Sequence, residues 1–80
     1  MEETAVALLA LLSDEDGMSI HKACKKLGQS MSEMLRLLSV LRPEALGGLD
    51  LVERRDNAGR VCLFLTERGR AVCAGFAPKL

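Results

Sequence analysis

The chain has 80 residues, 49% apolar and 28% charged, with a formal net charge of zero. That suits a single domain over residues 1–80, with too little chain for a second domain or a deep catalytic pocket. No run approaches the roughly 18 consecutive apolar residues of a membrane span.

The charge is unevenly placed. Residues 1–16 hold Glu2, Glu3, Asp14, Glu15 and Asp16 and no Lys or Arg, so all 11 basic residues fall in 17–80. This distribution fits an acidic leading segment and a body with a basic face. The apolar stretch at 5–12 is preceded by acids rather than bases. That argues against a secretory leader and leads to the expectation of a cytoplasmic protein.

Three cysteines, Cys24, Cys62 and Cys73, are an odd number without a Cys-x-x-Cys pair. They suit a reducing compartment rather than a disulfide framework, and each sits among apolar neighbours, so all three read as small core residues. The alternative is a redox-sensing thiol, for which Cys24 beside Lys25 is the candidate.

The first helix covers 4–12, with Ala5, Leu8, Leu9 and Leu12 on one stripe. Thr4 caps it unless Glu2 and Glu3 extend it, and their charge suits that end of the helix dipole in either case. A polar turn over 13–17 and a strand-like contact at Met18 follow, before Ser19 caps a second helix from Ile20 to Leu27. Gly28 suits the end of that helix, and Ser30 suits the N-cap of the next. The third helix runs from Met31 to Leu41 or Arg42, where Pro43 disfavours helical backbone at the residue before it. Two short helices joined by a tight turn are the layout of a helix-turn-helix.

A connector over 43–48, with one helical turn at most, leads to a strand at 49–55 that places Leu49 and Leu51 on one face. A turn at 56–60 separates it from a returning strand at 61–65, with Val61, Leu63 and Leu65 inward and Cys62 and Phe64 outward. Thr66 caps a last helix over 67–75, docked by Val72 and Phe76. Gly69 inside this helix costs about 1 kcal/mol relative to Ala, which points to close packing on the hairpin. The tail 77–80 is expected to fray.

On the third helix Met34, Leu37, Leu38 and Leu41 define a buried side. Ser32, Arg36 and Ser39 fall opposite, within roughly 60° of one another at 100° per residue. Short polar side chains beside one Arg are what a major-groove reading helix needs, because Arg pairs bidentately with guanine O6 and N7. Glu33 beside this face would repel phosphates yet could accept from a cytosine amine. Ser19 and Lys22, together with His21, Lys25 and Lys26, flank the groove from the second helix, whose free N–H groups can hold a phosphate. Ser30 joins this set at the start of the third helix. Arg54, Arg55, Asn57 and Arg60 gather near the hairpin tip and suit backbone or minor-groove contact. His21 and Cys24 have a metal-compatible spacing but no second ligand pair, so no metal or cofactor is expected.

The segments 49–55 (LDLVERR), 56–60 (DNAGR) and 65–70 (LTERGR) closely resemble the "GLVeRr–wing–LTekGr" signature of winged helix-turn-helix regulators of the MarR and ArsR types. Residues 27–41 match the turn and third helix more loosely, and the likeness covers most of 4–76. The resemblance implies an α+β fold: a three-helix core, a two- or three-stranded β-wing and a C-terminal helix. It further implies a DNA-binding transcriptional regulator with double-stranded DNA as partner. Two departures stand out. MarR proteins dimerise through extra long helices at both ends, for which this chain has no room. The connector containing Pro43 and the Gly47-Gly48 pair is also longer than usual.

A lone domain offers few contacts, so either a homodimer on a two-fold site or weak binding is expected. The competing expectation is a protein-interaction module that uses Leu35, Val40 and Phe64 as an apolar contact. With one His, no nucleophile motif and no glycine-rich phosphate loop, an enzyme is not expected.

Overall fold

The computed structural model describes residues 3–43 and 46–76. Its elements are α1 (Glu3–Asp14), β1 (Met18–Ser19), α2 (Ile20–Leu27), α3 (Met31–Leu41), β2 (Val52–Asn57), β3 (Arg60–Leu65) and α4 (Glu67–Phe76). The expectations for Glu2, for Glu44 and Ala45 in the connector, for the Phe76 side chain and for the tail 77–80 lie outside the described residues.

The helical core follows the apolar spacing. Ala5, Leu8, Leu9 and Leu12 of α1 are buried, and so are Ile20, Ala23 and Cys24 of α2 and Met34, Leu38 and Leu41 of α3. Leu37, assigned to the buried side, is half-buried against this core. Thr4 is inside α1 rather than its cap, since the helix already includes Glu3.

Local chemistry sets the helix ends. The Ser19 hydroxyl accepts from the Lys22 N–H at 3.2 Å. Gly28 adopts φ 64° and ψ 32°, the left-handed geometry that lets its amide reach back to the carbonyls of α2. Ser30 and Glu33 form a reciprocal capping box: the Ser30 hydroxyl accepts from the Glu33 N–H at 3.1 Å, and the Glu33 carboxylate accepts from the Ser30 N–H at 2.9 Å. Hydrogen bonding of that carboxylate to the Ser30 N–H, and next to the Ser30 side chain, holds it below its ordinary value.

A depressed folded-state pKa stabilises the fold at pH above the ordinary carboxylate range. The contribution disappears as pH falls through the lowered value. Glu33→Ala should therefore lower the melting temperature at neutral pH, with the gap to the parent closing on acidification. Thermal unfolding followed by circular dichroism across a pH series reads this directly.

The three strands form an antiparallel sheet in the order β1-β3-β2. Met18 pairs with Leu63 and Ser19 with Cys62 on one side of β3, while Val52 pairs with Leu65 and Asn57 with Arg60 on the other. Leu63, Leu65 and Val52 close the core from the sheet side. Asp16, which the sequence marks only as a turn residue, ties three elements together. Its carboxylate accepts from the Leu65 N–H at 2.8 Å and from Arg70 of α4 at 3.1 Å.

The first wing strand begins later than expected, at Val52 rather than Leu49. The amides of Leu49, Asp50 and Leu51 are already engaged: they donate to the carbonyls of Val40, Arg42 and Leu41 at 2.9, 2.8 and 3.0 Å. A helix leaves its last carbonyls without intrahelical partners. Here the chain folds back to supply them, and Asp50 takes φ 60° to do so. Leu49 is consequently exposed and Leu51 buried, not side by side on one strand face.

The turn is shorter than the expected 56–60. Strand pairing continues to Asn57 and Arg60, which leaves only Ala58 and Gly59 between them, both at positive φ (54° and 80°). This is the backbone of a tight two-residue hairpin loop, which favours Asn-Gly. An alanine there carries a left-handed penalty of about 1–2 kcal/mol. Ala58→Asn should raise stability by about 1 kcal/mol, seen as an increase of roughly 4–8 °C in Tm by calorimetry.

Candidate nucleic-acid interface

Helix α3 turns Ser32, Glu33, Leu35, Arg36, Ser39 and Val40 to solvent. The expected strip of Ser32, Arg36 and Ser39 is thus exposed along its whole length. Arg36 makes no ion pair with any described residue, and its carbonyl accepts from the Ser39 hydroxyl at 2.6 Å.

Two grooves flank the helix. Toward the wing, a groove of about 510 Å³ is lined by Leu35, Ser39 and Arg42 on one wall and Val52, Glu53 and Arg54 on the other. Toward α1, a groove of about 450 Å³ is bordered by Glu33, Arg36, Val40 and Leu49. Ser39 therefore faces the wing, while Arg36 borders the α1 side.

The sequence marks Arg42 only as the end of a helix. It joins the wing-side groove because it lies three residues past Ser39 and seven past Leu35, on the same strip of the helix. That spacing is the signal that could have found it, and Pro43 directs attention away from it.

The wing arginines part company. Successive residues of a strand point to opposite faces; Arg54 lines the groove with Val52 and Glu53, whereas Arg55 does not line it. Arg55 donates to the Glu53 carboxylate at 3.0 Å and sits over the Phe64 ring, 4.4 Å from its centroid. It is held by its own strand pair, a geometry that braces the wing. Asn57 and Arg60 frame the exposed tip.

On α2, the Lys22 ammonium is paired with Glu15 at 2.9 Å, and the Ser19 hydroxyl oxygen is occupied as a cap. The Ser30 hydroxyl is likewise committed to its capping box. Lys25 and Lys26 are exposed and outside every ion pair among the described residues.

The apolar contact envisaged for a protein-interaction module does not assemble. Leu35 lines the wing-side groove and Val40 the α1-side groove. Phe64 lies on the outer sheet face beneath Arg55.

The cysteines divide as well. Cys24 and Cys73 are buried core residues, whereas Cys62 is only half-buried on the outward side of β3. Burial pushes the Cys24 thiol up, with only partial offset from a backbone hydrogen bond, and burial does the same to Cys73. A sensing thiol needs the opposite shift.

No described helix is long and apolar enough to cross a membrane. Among the described residues no cluster of three or more His, Cys, Asp or Glu is placed to hold a metal ion.

No protein-family model matches the chain, and no curated protein matches it significantly. Solved structures do match. The PcaV transcriptional regulator from Streptomyces coelicolor superposes with a TM-score of 0.74 at 21% identity, over 91% of this chain and 52% of that one. A ZitR variant from Lactococcus lactis gives 0.75 at 20% identity, over 95% and 50%. A protein described as a predicted DNA-binding transcriptional regulator from E. coli gives 0.70 at 24% identity, over 89% and 70%. The chain spans about half the length of PcaV and ZitR. At these identities the likeness is one of fold, and the fold is the winged helix-turn-helix that the sequence resemblance implied.

Proposed function

We propose that this domain binds double-stranded DNA and serves as a transcriptional regulator, with α3 in the major groove and the β2–β3 wing on the adjacent backbone or minor groove. The observation that carries the reading is the bare Ser32–Arg36–Ser39 strip of α3 beside a groove whose far wall presents Arg54. Arg36 reads a guanine edge, and the two serines allow close approach. Arg54, Asn57 and Arg60 contact the backbone from the wing, and the N-terminus of α2 positions a phosphate, with Ser19 and Ser30 acting as the caps that set the two helix starts. Lys22 contributes only by exchanging Glu15 for a phosphate, and Arg55 acts mainly by bracing the wing. Regulators named among the solved structures of this fold support the reading without carrying it.

Titration of a labelled duplex pool at 50 and 200 mM salt tests it. About four phosphate contacts would weaken binding on the order of a hundredfold between those salts. No binding at the lower salt sinks the reading. Light scattering on the same samples reports whether a second copy joins on the duplex or one domain binds alone and weakly, the two outcomes its small contact surface leads us to expect.

A further inference from the structure

We propose that Leu35 is a specificity residue that reads the C5-methyl group of thymine in the major groove. This rests on the DNA-binding reading and adds a ligand chemistry to one position of α3.

Leu35 is 41% exposed, and the other large exposed apolar residues, Val40, Leu46 and Leu49, lie farther along α3 or beyond it. In the first two turns, where a reading helix contacts base edges, Leu35 is therefore the one large apolar side chain turned to solvent among the described residues. Ser32 and Ser39, three residues before and four after it, are short and leave Leu35 open on this side of the helix. It faces the wing-side groove together with Arg42, Arg54 and Glu53, whose carboxylate is already engaged by Arg55.

That setting selects the occupant. An apolar protein surface docked over Leu35 would strip water from two arginines without replacing their hydrogen bonds. A DNA duplex supplies phosphates to the arginines and, on its major-groove edges, one apolar group: the thymine methyl. A methyl removed from water against Leu35 would strengthen binding about fourfold per contact.

The test uses the full chain and two pairs of 20-base-pair duplexes at low salt. One pair alternates dA with dT or with dU; the other alternates dG with dC or with 5-methyl-dC. Each pair differs only in the methyl at the same groove position. The methylated member of each pair should bind at least about fourfold tighter. Leu35→Ala, checked for folding by circular dichroism, should bring both ratios close to one. Equal binding of methylated and unmethylated duplexes by the parent protein overturns the proposal and leaves DNA binding standing. A methyl preference that survives in Leu35→Ala also overturns it. No binding to any duplex removes both readings and leaves Leu35 to a protein contact.

Discussion

Gly69→Ala is expected to destabilise the domain by on the order of 3 kcal/mol, although the same exchange in an open helix would stabilise it by about 1 kcal/mol. The sign is decided by position. A Cβ on residue 69 would lie 2.1 Å from the Leu51 carbonyl oxygen, a backbone atom that cannot rotate away. That oxygen accepts from the Thr66 N–H at 3.1 Å. The Thr66 hydroxyl in turn donates to the Asp50 carbonyl at 2.5 Å and accepts from the Gly69 N–H at 2.9 Å. Moving α4 outward to relieve the clash would therefore pull apart the cap that starts the helix. For a domain of this size the total stability is roughly 4–12 kcal/mol, so a large share is at risk. Thermal unfolding should show Tm lower by roughly 12–24 °C. Gly75→Ala, on the same helix with open space where its Cβ would stand, should instead raise Tm slightly. If both variants behave alike, the close approach of α4 to Leu51 is not what places a glycine at 69.

The second large effect is on DNA. Arg36→Ala should weaken binding to a preferred duplex by about 1–3 kcal/mol, or roughly 5- to 150-fold, and flatten the preference at one guanine. Arg54→Ala should act differently. It should weaken binding to every sequence alike and reduce the slope of log affinity against log salt by about one unit. Arg55→Ala provides the contrast, because its guanidinium is already engaged by Glu53 and Phe64. Its salt slope should stay close to that of the parent. Fluorescence anisotropy at several salt concentrations, on a selected duplex and on one with the guanine changed, separates the three behaviours. An unchanged preference in Arg36→Ala would remove this residue from base reading.

The parts of the fold whose chemistry is local are legible in the sequence. The apolar spacing of α1 to α3, the caps at Ser19, Gly28 and Ser30, and the inward face of β3 each follow from a few neighbouring residues, and all are found in the structure. Gly69 is legible too, because a glycine inside an otherwise helical segment demands a reason. The misplaced start of β2 has a distant cause. Leu49-Asp50-Leu51 alternates like a strand, but its amides answer the carbonyls at the end of α3. Asp16 is hidden for the same reason, since its partners Leu65 and Arg70 lie some fifty residues away.

At the candidate site, exposure of Ser32, Arg36 and Ser39 is visible from helical period alone. Which arginines stay available is not. Arg54 and Arg55 are neighbours in sequence, and only the strand register sends one into the groove and the other under guard of Glu53.

The three amides that close the end of α3 have a mechanical corollary. They tie the proposed reading helix to the root of the wing through three backbone hydrogen bonds, so the two are braced like arms of a single bracket. Tilting one arm against the other would cost those bonds.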